Sequence, residues 1–444
     1  MSTLLDRWEE FAGAEARAGA EPAWLAELRR GAIAEAREAG FPTTKHEDWK
    51  FTSVAPIAQA DFRLIAGGLD GSISHPAIQP SSHPAIQPHL FDATWPRLVV
   101  LNGRFVPGLS RLEGLPRGAR LLPLSRALTE EPELVRAQMG SVLARGENTF
   151  TSLNAAYMTD GLVLVIGGEE PVPPVHVVYL TDESARDGMI HVRNLVVLER
   201  LASATLVESF VSLADVPVFT NAATEIRLGD GARLAHVKVQ RQSERAYHMD
   251  TTQAEQGRDS TWDSFSFAIG GALARTNLYT RLSGDGAHVT LDGLYLLHGE
   301  QHVDHQTRVE HIAPHCTSWE VYKGILDGKS HGVFNGKVYV RPEAQKTDGK
   351  QTNNNLVLSD QARVDTKPQL EIFADDVRCT HGATVGRLDP AALFYLRSRG
   401  LPLPEARRML TWGFASDVLQ TIAAAPVREQ LETLVKERLE EAVK

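Results

Sequence analysis

The chain has 444 residues, of which 43% are hydrophobic and 23% charged, and its formal net charge is −10. That length allows two or three domains with an ample core, and the acidic balance argues against a nucleic-acid groove, which needs clustered Lys and Arg. Two cysteines, Cys316 and Cys379, exclude a disulfide-stapled scaffold and suit a reducing cytosol; the charged opening residues and the lack of any long apolar run predict no signal peptide and a cytoplasmic location.

Residues 1–154 read as an N-terminal helical region. Leu4, Trp8 and Phe11 keep helical spacing, Pro22 opens a second segment through Trp24 and Leu28, and Gly40 with Pro42 closes it. His46-Glu47-Asp48 lacks the second His of a zincin helix, and Trp49 and Phe51 are expected to anchor the following loop by hydrophobic packing. Residues 68–90 form a Pro-rich linker with a tandem repeat, Ser74-His75-Pro76-Ala77-Ile78-Gln79-Pro80 and Ser82-His83-Pro84-Ala85-Ile86-Gln87-Pro88. Its prolines fit neither a helix interior nor a central strand, so a solvated loop is expected there.

From about 155 to 386 strand follows strand. Segments 197–206, 227–234, 281–289 and 357–364 share one plan: an apolar strand end, a Gly/Asp/Ser turn, a small residue, then alternation again. Ala287, Val289 and Leu291 face one way while His288, Thr290 and Asp292 face the other. Such units without intervening helices predict a solenoid or β-helix, with a jelly-roll sandwich as the competitor; Asn353-Asn354-Asn355 leans toward the β-helix, whose turns can stack Asn.

Three segments invite a chemical reading. Gly324-Ile325-Leu326-Asp327-Gly328-Lys329-Ser330 approaches a phosphate-binding loop but has three residues between its glycines where four are needed, and β-turn sequence rather than a helix follows. His302, His305, Glu310 and His311 could serve a metal-dependent, cupin-like enzyme, although the i, i+3 spacing of the first pair sends their rings to opposite faces of a strand. No Gly-x-Ser-x-Gly elbow isolates a nucleophile. Cys379 and His381, two residues apart in extended sequence, project side by side and make half of a metal site, with the other ligands to come from elsewhere; a small buried Cys beside a hydrogen-bonded His is the structural alternative.

After Gly386 the period returns to helix, giving a C-terminal helical domain over 387–444. Asp389 reads as an N-cap before Pro390, Gly400 as a stop, and Pro404 and Pro426 as helix starts, with Val427, Leu431, Leu434 and Val435 along one face. The sharp change of period predicts a separable tail whose removal leaves a folded β body.

Cys379-Thr380-His381-Gly382-Ala383-Thr384-Val385-Gly386 and Leu393-Phe394-Tyr395-Leu396-Arg397-Ser398-Arg399-Gly400 resemble the C-terminal signature of the SufB/SufD family of iron–sulfur cluster assembly scaffolds. Glu310-His311-Ile312-Ala313-Pro314, Tyr322-Lys323-Gly324, Gln345-Lys346-Thr347-Asp348, Asn353-Asn354-Asn355-Leu356, Lys367-Pro368-Gln369-Leu370-Glu371-Ile372 and the motif from Pro42 to Thr52 are similar to the same family. The Cys-x-His-Gly-Ala-Thr form and the single C-terminal Cys favour its SufD branch. The resemblance implies a right-handed parallel β-helix core over 155–386 and a non-enzymatic scaffold that pairs with SufB and recruits the SufC ATPase through the C-terminal helices. It also implies a transient iron–sulfur cluster, shared with SufB, at His381 and then Cys379. Nothing tightly bound is expected in the isolated chain, and flavin binding by the complex and homodimerisation of the free chain stay open.

Overall fold

The computed structural model describes residues 4–8, 11–12, 21–65 and 86–441. Within them the strand–turn–strand units wind into a parallel β-helix of about eight turns. Each coil gives one strand to each of two sheets. One sheet steps from Leu162–Ile166 through Gly188–Leu198, Val218–Leu228, Tyr247–Gln256, Leu273–Leu282 and His302–His311 to His331–Val340. The other steps from Val175–Thr181 through Ser203–Ser212, Arg233–Arg241, Thr261–Ala268, His288–Leu297, Thr317–Leu326 and Asp348–Val357 to Arg378–Gly386, where it ends. Arg233, Thr261, His288 and Thr317 stand beside one another in register, so a coil spans just under thirty residues.

The repeated small residue of the sequence units marks a corner of the coil. Ala202, Ala232, Ser260, Ala287, Cys316 and Thr347 are buried at successive corners. The backbone N–H that follows each one donates to the carbonyl of the corner residue one coil earlier, as from Arg233 to Ala202 and from Asp348 to Cys316. The tight stack explains the small side chains and gives Cys316 a packing role; burial pushes its thiol up to about 11. Gly231 and Gly286 take positive φ in the turns just before this corner, and Leu201 does so at the corresponding place. Ala287, Val289 and Leu291 face the interior as their alternation predicts.

Two expectations need correction. Residues 1–154 are not helical throughout: Arg97–Leu101 pairs parallel with Val175–Thr181, and Ala119–Pro123 pairs antiparallel with Leu162–Ile166, so both extend the solenoid sheets. Burial of the short run Leu98-Val99-Val100-Leu101 on both faces explains why it is a strand without alternation. The Asn353-Asn354-Asn355 run lies within a strand instead of a turn, and no Asn column forms: Asn353 stands between Tyr322 and Ala383. All but the last residues of the tandem repeat lie outside the described part; Gln87–His89 form a 3-10 turn.

Helices cover the outer faces. Helix α1 (Ala23–Ala39) buries Ala32, Ile33 and Ala36 with Phe150, Leu153 and Ala156 of α2 (Thr149–Tyr157), which starts on a capping box between Asn148 and Thr151. Trp49 lies buried beside Phe150 with the Arg275 guanidinium 3.7 Å above its ring. Arg275 also donates to the Asp48 carbonyl and to Asp304, fastening this loop to the first sheet. At the other end come α3 (Pro390–Ser398), α4 (Leu403–Leu419) and α5 (Ala425–Glu441). Asp389 caps α3 by accepting from the Ala391 N–H. Val418 and Leu419 of α4 and Val427, Leu431 and Val435 of α5 share one apolar cluster with Val207, Val237, Phe265, Leu294 and Ile325 of the second sheet. The tail is therefore docked on the solenoid. Among the described residues no helix is long and apolar enough to cross a membrane.

Candidate functional site

The second sheet ends at the last strand, Arg378–Gly386, which carries Cys379 and His381. It pairs with Asp348–Val357 in parallel, setting Cys379 beside Gly349 and His381 beside Gln351. Gly349 and Gln351 are inward-facing, so both candidate ligands stand over the open end of the interior. A Cβ at Gly349 would lie 3.4 Å from the Cys379 Sγ, so this glycine lets the thiol settle close over the coil beneath. Cys379 is half-buried and packs on the small cluster of Val338, Val340, Ala344 and Ala374, whereas His381 is exposed. Burial pushes the Cys379 thiol up and the Asp348 carboxylate adds to the shift, against an opposing hydrogen bond from the Gly349 backbone. Among the described residues the far edge of this strand has no neighbour. All its residues except Cys379 are exposed.

The other sequence candidates separate. His302 faces outward, its Nε2 2.9 Å from Thr52 Oγ1, while His305 faces inward between the rings of Tyr295 and Tyr322. Glu310 pairs with Arg341 on the outside, and His311 Nε2 lies 2.9 Å from Ser318 Oγ on the inside. Strand alternation splits these four residues between two faces, so the cupin-like metal centre does not form. Among the described residues no group of three or more His, Cys, Asp or Glu side chains could hold a metal ion. The Gly324–Ser330 segment ends one strand and starts the next through a turn with Gly328 at positive φ, so it offers no helix N-terminus to a phosphate.

Sequence reasoning missed the polarity of the interior below the candidate ligands. Glu320, Gln351 and His381 stand in one inward-facing column across three coils. Glu320 is buried and accepts from Thr307 Oγ1 at 2.7 Å and from Gln351 Nε2 at 3.3 Å. Burial, opposed by those two hydrogen bonds, pushes its carboxyl up to about 7. Further in, Glu208, His236, Lys238 and Asp250 form a buried ionic network. No motif marks either group; only the parity of each strand would have placed them inside.

Comparison with known proteins places this architecture. The model of the SufBD core domain of the SUF iron–sulfur cluster assembly system matches residues 179–414, and that of the SufBD N-terminal region matches 14–172. The chain belongs to the SufB/SufD family. It is 34% identical to the iron–sulfur cluster assembly protein SufD of Escherichia coli, with 90% of each chain covered. It is 33% identical to a SufBD-family cluster assembly protein of Synechocystis, covering 94% of this chain and 92% of the relative. It is also 28% identical to SufD of Bacillus subtilis over 99% of both. The matched core domain covers most of the β-helix, the matched N-terminal region precedes it, and the chain is an iron–sulfur cluster assembly protein of the SUF system. Cys379-Thr380-His381, on the terminal strand described above, falls within the matched core domain.

Proposed function

We propose that this chain is the SufD-type subunit of a SUF scaffold, in which the terminal strand meets SufB and His381, then Cys379, hold a nascent iron–sulfur cluster at the seam. The observation that carries this reading is the free, exposed edge of Arg378–Gly386 bearing two soft ligands side by side. An open strand edge is a template for another chain. A neutral imidazole ligates iron and a thiolate holds iron or sulfide; two ligands cannot close a tetrahedral site, so the partner supplies the rest. Cluster binding is then conditional on assembly, because neither chain alone supplies a full ligand set. SufC would dock on the uncovered side of the C-terminal helices, where Phe394 is 75% and Tyr395 56% exposed. ATP turnover there would move the seam between conformations. Co-expression with SufB and SufC tests the reading. Val385→Asp on the strand should abolish SufB co-purification and Phe394→Ser should abolish that of SufC, each without lowering the melting temperature; retained binding by stable variants would refute the assignment.

A further inference from the structure

The inward column beneath His381 contains an acceptor that has nothing to accept. Gln351 is 2% exposed, and its side chain occupies space left by Gly336, where a Cβ would lie 2.1 Å from Gln351 Nε2. Its amide nitrogen donates to Glu320 Oε2, while its Oε1 is buried with no hydrogen-bond partner. With its nitrogen donating to Glu320 Oε2, the amide points its own oxygen away from the carboxyl and leaves it free. Thr307 fixes the same carboxylate from the facing sheet. Leaving a buried carbonyl oxygen unpaired is costly, and a donor placed above it recovers that cost. The next inward-facing side chain in the column is His381, in register on the adjoining strand about 4.8 Å away. A metal-bound imidazole commonly donates its remaining ring N–H to such an oxygen, which fixes tautomer and orientation.

We propose that Gln351, aligned by Glu320, is a positioning residue for His381, its free carboxamide oxygen accepting the hydrogen of the ring nitrogen that faces away from iron. This rests on the reading of His381 as a ligand. Glu320 and Thr307 act through Gln351, so the sequence of roles runs from the interior outward: anchor, orienter, ligand. The test is made on the metal-free full chain labelled with 15N-histidine, in which His381 is assigned by its loss in His381→Ala. Gln351→Met, similar in length and without a polar group, should shift the ratio of the two His381 tautomers about two- to tenfold, the worth of one net hydrogen bond. Glu320→Met, similar in length and without an acceptor for the Gln351 amide nitrogen, should shift it in the same direction, and decides alone if Gln351→Met does not fold. In the reconstituted complex, Gln351→Met should weaken iron(II) binding about 10- to 100-fold. An unchanged tautomer ratio in a folded variant overturns the proposal. Because the ratio is measured without iron, it stands apart from the ligand reading: full iron and sulfide in His381→Ala would sink that reading alone, whatever the tautomers do.

Discussion

Gly324 sits inside the solenoid where an added Cβ would come within 2.5 Å of the Tyr295 ring and of Asn355 Oδ1. Both neighbours are buried and bonded to each other through the Tyr295 hydroxyl, so neither can move aside cheaply. Gly324→Ala should therefore cost about 1–3 kcal/mol in chemical denaturation, and a wild-type midpoint would contradict the packing described. Glu320 carries a different liability. Its folded pKa of about 7 stands above the ordinary carboxyl value of 4.5, so the folded chain binds the extra proton. The stability this contributes is complete below pH ~4.5 and is lost as pH rises through ~7. Replacing the carboxyl by an amide removes that dependence. Glu320→Gln should match wild type near pH 4.5 and be more stable at pH 8 by on the order of 3 kcal/mol; an equal difference at both pH values would show that the carboxyl does not titrate in this range.

At the scale of elements, the C-terminal helices change what a truncation means. Removing residues after Gly386 would uncover Val237, Phe265, Leu294 and Ile325, so the β body is expected to aggregate instead of remaining as a soluble module. Recovery of a soluble, monomeric truncation would contradict this. Leu431→Asp should destabilise by more than about 3 kcal/mol because the charge would enter a dry cluster without a partner. Phe394→Ser should leave stability within about 0.5 kcal/mol, since its ring is already in solvent. The stripe Val427, Leu431, Leu434 and Val435 was legible as a buried face, but a stripe does not say what covers it. The solenoid was legible because its corners repeat a turn and a small residue, and the shared face of Cys379 and His381 because they stand two residues apart on one strand. Arg97–Leu101 and Ala119–Pro123 escaped notice because strands of five residues among prolines leave too little periodicity to read. Glu320 and Gln351 escaped because alternation identifies two faces without saying that the inner one is polar.

Over the whole molecule, the buried histidines set the response to acid. Burial holds His176, His191, His248 and His311 down to about 3, and His302 and His305 down to about 4. Below pH 6.5 the unfolded chain takes up protons that the folded chain refuses, so each such group removes about 1.4 kcal/mol per pH unit until its folded pKa is reached. Asp160, Asp250, Asp292 and Glu320 act in the opposite sense, but they are fewer. The melting temperature should consequently fall as pH drops from 6.5 to 4.5; a melting temperature that holds or rises over that interval would contradict the burial of these rings. In the proposed role, the last strand brings its edge, with Cys379 and His381, to the end of the solenoid where another chain completes the site. The most direct measurement of that role is made on the assembled complex carrying His381→Ala: iron and acid-labile sulfide after reconstitution, read beside the melting temperature. Loss of cluster in a complex that assembles and melts like wild type is the predicted result, whereas a stable variant complex with wild-type iron and sulfide would remove His381 from the site.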